Sequence, residues 1–170
     1  MPTEPATMQV QGHVLLIGLN RPAQRNAFDS PMLDGLADGY GQLEDDAQLR
    51  VGVLHAHGPH FTGGLGLVQA AARLSAEGLH YSSPRAVDPW GLTGRVRTKP
   101  VVMATQGWCL TLGIELLLAA DVRVAASDSR FSQLEVRRAQ LTGASSGPAA
   151  AVQASTMSAT AGSAITSRTA

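Results

Sequence analysis

Short apolar segments alternate with amphipathic ones along most of this chain. Runs of β-branched and other apolar residues predict four strands, at 10–19, 50–57, 99–107 and 121–127. After Asp29 or Ser30, either of which can cap a helix, apolar residues recur at helical spacing. Further helices are predicted at 67–77 and in the apolar segment 114–121, which should be mostly buried. Strands that alternate with helices indicate an α/β fold.

The character of the sequence changes after Arg138. Residues 139–170 are mostly Ala, Ser, Thr and Gly, with no acidic and no aromatic residue. Such a segment buries too little apolar surface to offset the entropy lost on ordering. We therefore expect a folded core at 1–138 and a disordered, low-complexity tail at 139–170.

Charge and cysteine content narrow the function classes. The 170 residues carry 13 basic and 13 acidic side chains without a block of one sign, which argues against nucleic-acid or membrane partners. A small molecule or a second copy of the chain is the expected partner. Cys109 is the only cysteine, so no internal disulfide can form, and it has no obvious histidine and acid partners for a thiol mechanism. The first residues do not resemble a secretory signal and no apolar run is long enough for a membrane span, so we expect a cytoplasmic protein.

Three histidines stand close together at His55, His57 and His60. Their spacing is similar to the metal loop of metallo-β-lactamase-type hydrolases, but Pro59 replaces the aspartate of that loop and His80 is the only later histidine. The favoured interpretation is that His55 and His57 share a strand face while His60 is exposed in a loop. A metal site is the weaker alternative.

Glycines follow this strand directly, at Gly63, Gly64 and Gly66. A dinucleotide-binding turn would need a third glycine where Gln69 stands. A glycine-rich turn after a strand can also point backbone N–H groups into a cleft, as an oxyanion site requires. A turn that supplies an oxyanion site fits this sequence better than a dinucleotide-binding turn.

Two glutamates lie in apolar surroundings, Glu115 within 114–121 and Glu135 in the segment "FSQLEV". A buried carboxylate is usually paired or functional, because desolvation of an unpaired charge is costly. The two acids could act as base and acid at one reaction centre, or could form a structural pair satisfied by Arg123, Arg137 or backbone N–H groups. The pattern alone leaves both interpretations open.

Four segments together resemble one family: "HVLLIGLNRPAQRNAF", "LRVGVLHAHGPHFTGGLGL", "KPVVMATQGWCLTLGIELLLAADVRVAA" and "SRFSQLEV". Their order and spacing are similar to those of the crotonase superfamily, the enoyl-CoA hydratase/isomerase proteins, over about Val10 to Arg138. The resemblance implies a spiral of ββα units, an acyl-CoA substrate, no metal or redox cofactor, and a homotrimer or hexamer.

The resemblance also implies roles for individual residues. The oxyanion hole would consist of the N–H groups of Leu65, after Gly64, and Leu112, three residues before Glu115. Glu115 and Glu135 would be the catalytic pair, one taking a proton from water and the other supplying a proton to the α-carbon, which favours hydration over isomerisation. Contacts with CoA would come from Arg25, Asn26, Ala27, Gly63, Gly64, Leu65, Gly66 and Leu67.

The chain departs from the family pattern at three places. Gly63 and Gly66 stand where alanine and aspartate are usual, and a Cβ at Leu112, where glycine is frequent, restricts the backbone. The usual C-terminal helical region is replaced by the 139–170 tail, which suggests a truncated or frameshifted family sequence. We therefore expect uncovered apolar surface, and the alternative to an active hydratase is an inactive, truncated crotonase-like fragment.

Overall fold

The computed structural model describes residues 4–66, 74–75 and 78–133. The predicted tail at 139–170 and Glu135 lie outside the described residues. The strands are β1 (Ala6–Gln11), β2 (Val14–Leu19), β3 (Val51–Ala56), β4 (Leu74–Ser75), β5 (Gly78–Leu79), β6 (Val101–Thr105), β7 (Trp108–Leu110), β8 (Val122–Ala125) and β9 (Arg130–Ser132). The α-helices are α1 (Ser30–Asp45) and α2 (Leu112–Ala119), and a 3₁₀ turn spans Pro22–Gln24.

A five-stranded sheet in the order β1-β2-β3-β6-β8 organises the fold. β1 is antiparallel to β2, and every later pair in this sheet is parallel. Two smaller pairs complete the description, β4 with β5 and β7 with β9. The α/β prediction is therefore confirmed, with parallel strands joined through helices and loops as such a sheet requires. None of the described helices combines the length and apolar character needed to cross a bilayer.

The first predicted strand is two strands in the structure. β1 and β2 form a hairpin in which Gln11 pairs directly with Val14, so only Gly12 and His13 make the turn. Gly12 adopts a φ of +59°, which glycine reaches without steric cost. The prediction of one continuous strand over 10–19 is wrong because this turn interrupts it.

The first helix follows the prediction closely. The carboxylate of Asp29 caps α1 by accepting from the Met32 N–H at 3.1 Å, and Pro31 lies in the first turn. The apolar face of α1 is buried in the core, through Met32, Leu33, Leu36, Ala37, Tyr40 and Leu43.

The later helices differ from prediction. Leu74–Ser75 is a strand rather than part of a 67–77 helix, and residues 67–73 and 76–77 lie outside the described residues. α2 is less buried than expected: only Gly113 and Leu116 of its eight residues are buried. All four residues of β8 are exposed, since β8 is the last strand of the sheet in the described part of the chain.

Apolar side chains of α2, β8 and β9 are exposed among the described residues. Leu118, Val122, Val124 and Phe131 are between 40% and 65% exposed. Exposed edge strands of this kind offer unpaired backbone groups and apolar surface to other chains.

A polar cluster fixes the entrance to β6. The Asp121 carboxylate accepts from the Val101 N–H at 2.8 Å and from Arg97 at 2.5 Å. Glu44, near the end of α1, accepts from the N–H groups of Thr98 and Lys99, both at 2.8 Å. These bonds tie the segment before β6 to α1 on one side and to β8 on the other.

We predict that Asp121→Asn makes the stability of the chain less sensitive to acid. The Val101 N–H, and then Arg97, hold the pKa of Asp121 below its ordinary value of 3.8. A lowered folded-state pKa contributes stability above the unfolded-state value, and this contribution is lost as pH falls through the folded-state pKa. The melting temperature of D121N, followed by circular dichroism from about pH 5 to about pH 2.5, should therefore fall less than that of the wild type. Parallel acid limbs would contradict this.

Candidate active site

The glycine-rich loop after β3 is attached to two other segments. Leu65 forms an isolated parallel bridge with Phe28, and Thr62 forms one with Cys109 in β7. In the second bridge the Thr62 N–H donates to the Trp108 carbonyl at 2.9 Å, and the Leu110 N–H donates to the Thr62 carbonyl at 3.2 Å. The loop is therefore held directly beside the segment that leads into α2.

Nearly every N–H of this loop is bonded within the protein. Gly63 donates to the Arg25 carbonyl at 2.7 Å, Gly64 to Thr62 Oγ1 at 3.1 Å, and Gly66 to the Phe28 carbonyl at 2.8 Å. Within the described residues the N–H of Leu65 has no acceptor. Among its described residues the loop thus presents one free donor, the N–H of Leu65, for which an oxyanion role is predicted.

A second free donor begins α2. Leu112 is the first helical residue, so its N–H has no partner within the helix, and Thr111 supplies no side-chain cap. No other described residue accepts from it. The N-terminal end of a helix also carries partial positive charge, which favours an anionic oxygen there.

The residues immediately before the two donors are in contact. A Cβ placed on Gly64, whose φ is +90°, would lie 2.1 Å from Thr111 Oγ1 and 3.4 Å from the Leu110 carbonyl oxygen. Gly64 therefore lies so close to Thr111 that a side chain at this position would collide with it. The geometry places the N–H groups of Leu65 and Leu112 on adjacent segments, while their joint use as an oxyanion hole stays a prediction.

The sequence predicts a restricted backbone at Leu112. The unfavourable backbone conformation lies one residue earlier, at Thr111. Thr111 has φ 51° and ψ −116°, whereas Leu112 begins a regular helix. Such a conformation costs a β-branched residue about 1–3 kcal/mol. The buried hydroxyl of Thr111 has no hydrogen-bond partner among the described residues, and its N–H is bonded to the Ser132 carbonyl at 3.0 Å.

Asn26 supports the loop from beneath. Its fully buried amide accepts from the Arg21 N–H at 2.7 Å and donates to the carbonyls of His57 and His60, both at 2.9 Å. The backbone carbonyl of Asn26 accepts from Thr62 Oγ1 at 2.7 Å. The side chain predicted to contact CoA is therefore fully used within the protein.

Arg25 stands exposed beside this network. Its guanidinium lies 5.0 Å from the centre of the Trp108 ring, an arrangement typical of cation–π contacts. The His60 ring stacks on the same tryptophan at 4.6 Å, and its Nδ1 accepts from the Trp108 N–H at 3.3 Å. Arg25 is thus an oriented positive charge at the rim of the loop.

The stacking of His60 on Trp108 bears on the predicted cluster of three histidines. His60 is half-buried rather than exposed, so that prediction is wrong, because the Trp108 ring covers it. Across residues 4–66, 74–75 and 78–133 no group of three or more histidine, cysteine or acidic side chains is placed to hold a metal ion. The three-histidine site is therefore wrong.

Glu115 lies in the first turn of α2, three residues after Leu112. It is exposed, and its Oε1 accepts from Gln133 Nε2 at 3.3 Å. The expectation that it is buried in apolar surroundings is wrong for the described residues, because no described element packs over that side of α2. Arg123 does not pair with it, since its guanidinium donates to the carbonyls of Leu117 and Leu118.

Cys109 offers no nucleophile to this site. It is buried beneath the loop, and burial raises the pKa of its thiol to about 12. A thiol that stays protonated at neutral pH is a poor nucleophile, and the sequence likewise argues against a thiol mechanism at Cys109.

Comparison with known proteins identifies the family. A sequence model described as enoyl-CoA hydratase/isomerase matches residues 9–151. The chain belongs to the enoyl-CoA hydratase/isomerase family. Enoyl-CoA hydratase EchA19 of Mycobacterium tuberculosis is 30% identical over 134 residues, which cover 78% of this chain and 50% of that protein. The human mitochondrial Delta(3,5)-Delta(2,4)-dienoyl-CoA isomerase is 31% identical over 74% of this chain and 41% of its own length.

Solved structures show the crotonase fold. A probable enoyl-CoA hydratase/isomerase from Mycobacterium abscessus superposes with a TM-score of 0.75 at 46% identity, covering 80% of this chain and 52% of that chain. This family member thus spans about half the length of the relatives and structures that it matches.

Three contributors to the site carry little signal in the sequence. Thr62 bridges the Asn26 carbonyl and the Gly64 N–H, Trp108 orients Arg25, and Thr111 sets the entry to α2. A threonine directly before glycines is typical of a side-chain-to-backbone turn, which could have indicated Thr62. The other two depend on contacts between segments distant in sequence.

We predict that Gly64→Ala destabilises the chain more than Gly12→Ala. Both glycines have positive φ, but nothing lies within 4 Å of a Cβ at Gly12, whereas Thr111 blocks the one at Gly64. Gly12→Ala should cost about 1 kcal/mol of unfolding free energy through backbone strain alone. Gly64→Ala should cost about 2–4 kcal/mol, since the stiff, buried Thr111 side chain cannot move aside. Urea unfolding measures both, and adding Thr111→Gly should restore part of the loss at Gly64. Equal costs at the two glycines would contradict the proposed contact.

Proposed function

We propose that this chain binds an acyl-CoA thioester with its carbonyl oxygen between the N–H groups of Leu65 and Leu112, and hydrates a 2-enoyl-CoA. The observation that carries the proposal concerns the N–H groups of the loop. Those of Gly63, Gly64 and Gly66 are bonded, whereas that of Leu65 has no acceptor among the described residues. A fixed donor without an acceptor suits an oxygen that arrives with the substrate. Hydratases and an isomerase among the relatives support the same substrate class.

Conjugate addition of water to an unsaturated thioester builds negative charge on the carbonyl oxygen. Two donors already held in place by the protein stabilise this charge without reorganisation at the moment of reaction. Leu112 adds the partial positive charge of the α2 N-terminus. The backbone thus supplies the electrostatic part of the mechanism.

The acid–base part is assigned to Glu115 and Glu135. Glu115 is in the first turn of α2, three residues after Leu112, so its side chain is carried by the same turn of helix that presents the Leu112 N–H. Glu135 lies outside the described residues, and its role in this proposal comes from the family resemblance. Glu115 removes a proton from the attacking water, and Glu135 supplies one to the α-carbon.

The CoA part of the substrate is assigned to the rim of the loop. Arg25 is exposed and positively charged, and its carbonyl holds Gly63, so a CoA phosphate can reach the guanidinium while the thioester reaches Leu65. Ala27, Gly63 and Gly66 are partly exposed, Gly64 is buried, and Leu67 lies outside the described residues. The buried side chain of Asn26 contributes by positioning. A cytoplasmic location and a homotrimer or hexamer belong to this proposal as expectations from the family resemblance and the single cysteine.

The alternative is an inactive chain that binds CoA without turning over an enoyl thioester. The exposure of Glu115 favours it, because a general base gains most from a dry, enclosed site. Glu115 and β8 are both open to solvent in the described part of the chain.

Hydration of a short 2-enoyl-CoA by the purified chain, followed as loss of ultraviolet absorbance, tests the proposal. Glu115→Gln should lower kcat by about 10²–10⁴-fold, because the carboxamide cannot accept the proton. Glu4→Gln is the matched control, since Glu4 is exposed and only its backbone carbonyl is bonded, to Asn20. Full activity in Glu115→Gln would refute the assigned base, and no activity in the wild-type chain would favour the inactive alternative.

A further inference from the structure

A second polar cluster lies on the sheet face opposite α1. Gly18 of β2 pairs with Thr7 of β1 on one side and with His55 of β3 on the other, so the three residues form one row across the sheet. A Cβ on Gly18 would lie 2.6 Å from Thr7 Oγ1, 2.8 Å from His57 Nε2 and 2.9 Å from His55 Cε1. The missing side chain of Gly18 therefore leaves the space in which two imidazoles and one hydroxyl meet.

The Thr7 hydroxyl holds one nitrogen of His57. It lies 3.0 Å from His57 Nε2, and 3.4 Å from the Gly18 carbonyl. Among the described residues the other ring nitrogen, Nδ1, has no hydrogen-bond partner, and the ring is exposed to solvent. Nδ1 is therefore the nitrogen of His57 left for a ligand.

His55 is the second half of the pair. Burial, and then the neighbouring His57, lower the pKa of His55. None of the described residues forms a hydrogen bond to its ring nitrogens. The two rings meet edge to face, with 5.1 Å between their centroids and 68° between their planes.

We propose that His55 and His57 together bind one divalent transition-metal ion of the class that prefers imidazole, such as Zn²⁺, Ni²⁺ or Cu²⁺. Metal–nitrogen distances of about 2.0–2.1 Å at a near-tetrahedral angle put the centroids of two imidazoles about 5 Å apart. The observed separation of 5.1 Å meets this requirement. Water completes the coordination.

Thr7 acts on this site through His57. A ligating histidine usually donates its other N–H to an oxygen, which fixes the tautomer and the ring orientation. The Thr7 hydroxyl oxygen, 3.0 Å from His57 Nε2, is placed to accept such a bond. His60 takes no part, because its ring is stacked on Trp108.

Zn²⁺ titration of the purified full chain by calorimetry tests the proposal. We expect one site per chain, and loss of binding in His55→Ala and in His57→Ala. Thr7→Val keeps both ligands and the shape of the side chain, and should weaken binding by about 10-fold. Gly18→Ala should also weaken it, since the new methyl group displaces both rings.

His13→Ala is the matched control, because His13 lies in the hairpin turn with its Nδ1 bonded to the Gln48 carbonyl. It should bind Zn²⁺ as the wild type does. Circular dichroism of the metal-free variants verifies that they are folded, and electron paramagnetic resonance with Cu²⁺ should show two imidazole nitrogens in the wild type and one in each single variant. Absence of Zn²⁺ binding, or wild-type binding in both His55→Ala and His57→Ala, would overturn the proposal. Neither result depends on the hydration assay.

Discussion

The buried amide of Asn26 is the constraint on which the candidate site depends. It joins the turn at Arg21 to the carbonyls of His57 and His60 at the end of β3, and its own carbonyl holds Thr62. Thr62 in turn holds the Gly64 N–H. The side chains of Asn26 and Thr62 are fully buried, so a buried polar group of this network that lost its partner would cost about 1–3 kcal/mol. The shape of the glycine loop therefore follows from an asparagine that does not belong to the loop.

The same network explains why a flexible sequence forms a defined site. Glycines alone would leave the loop free to adopt many conformations. Here the bridges from Phe28 and Cys109 and the contact between Gly64 and Thr111 remove that freedom. The strained backbone of Thr111 is compensated by its bond to Ser132 and by the packing of Leu112 against the core. Strain held in this way is typical of functional turns, where a backbone donor must be placed before the substrate arrives.

The two sides of the site are unequally complete. The loop with the backbone donor Leu65 is held by the buried Asn26 and Thr62, whereas Glu115 and the outer strand β8 face solvent in the described part of the chain. The chain also spans about half the length of its relatives. The proposed binding of substrate by the loop and the proposed proton transfer by the glutamates can therefore be tested separately, since they depend on different parts of the chain.

The sequence by itself determined the α/β class, the capped helix α1 and the glycine loop after β3. It also named Leu65, Leu112 and Glu115 as candidate site residues. These follow from signals between near neighbours: apolar period, an Asp cap before Pro31, and a family-like order of short motifs. Only the tertiary structure decided that Gly12 divides the first strand, that Glu115 is exposed, and that His60 separates from His55 and His57. It also decided which N–H groups of the loop stay free. Each of these outcomes depends on which distant segment supplies a partner or covers a side chain, and local sequence does not encode that partner.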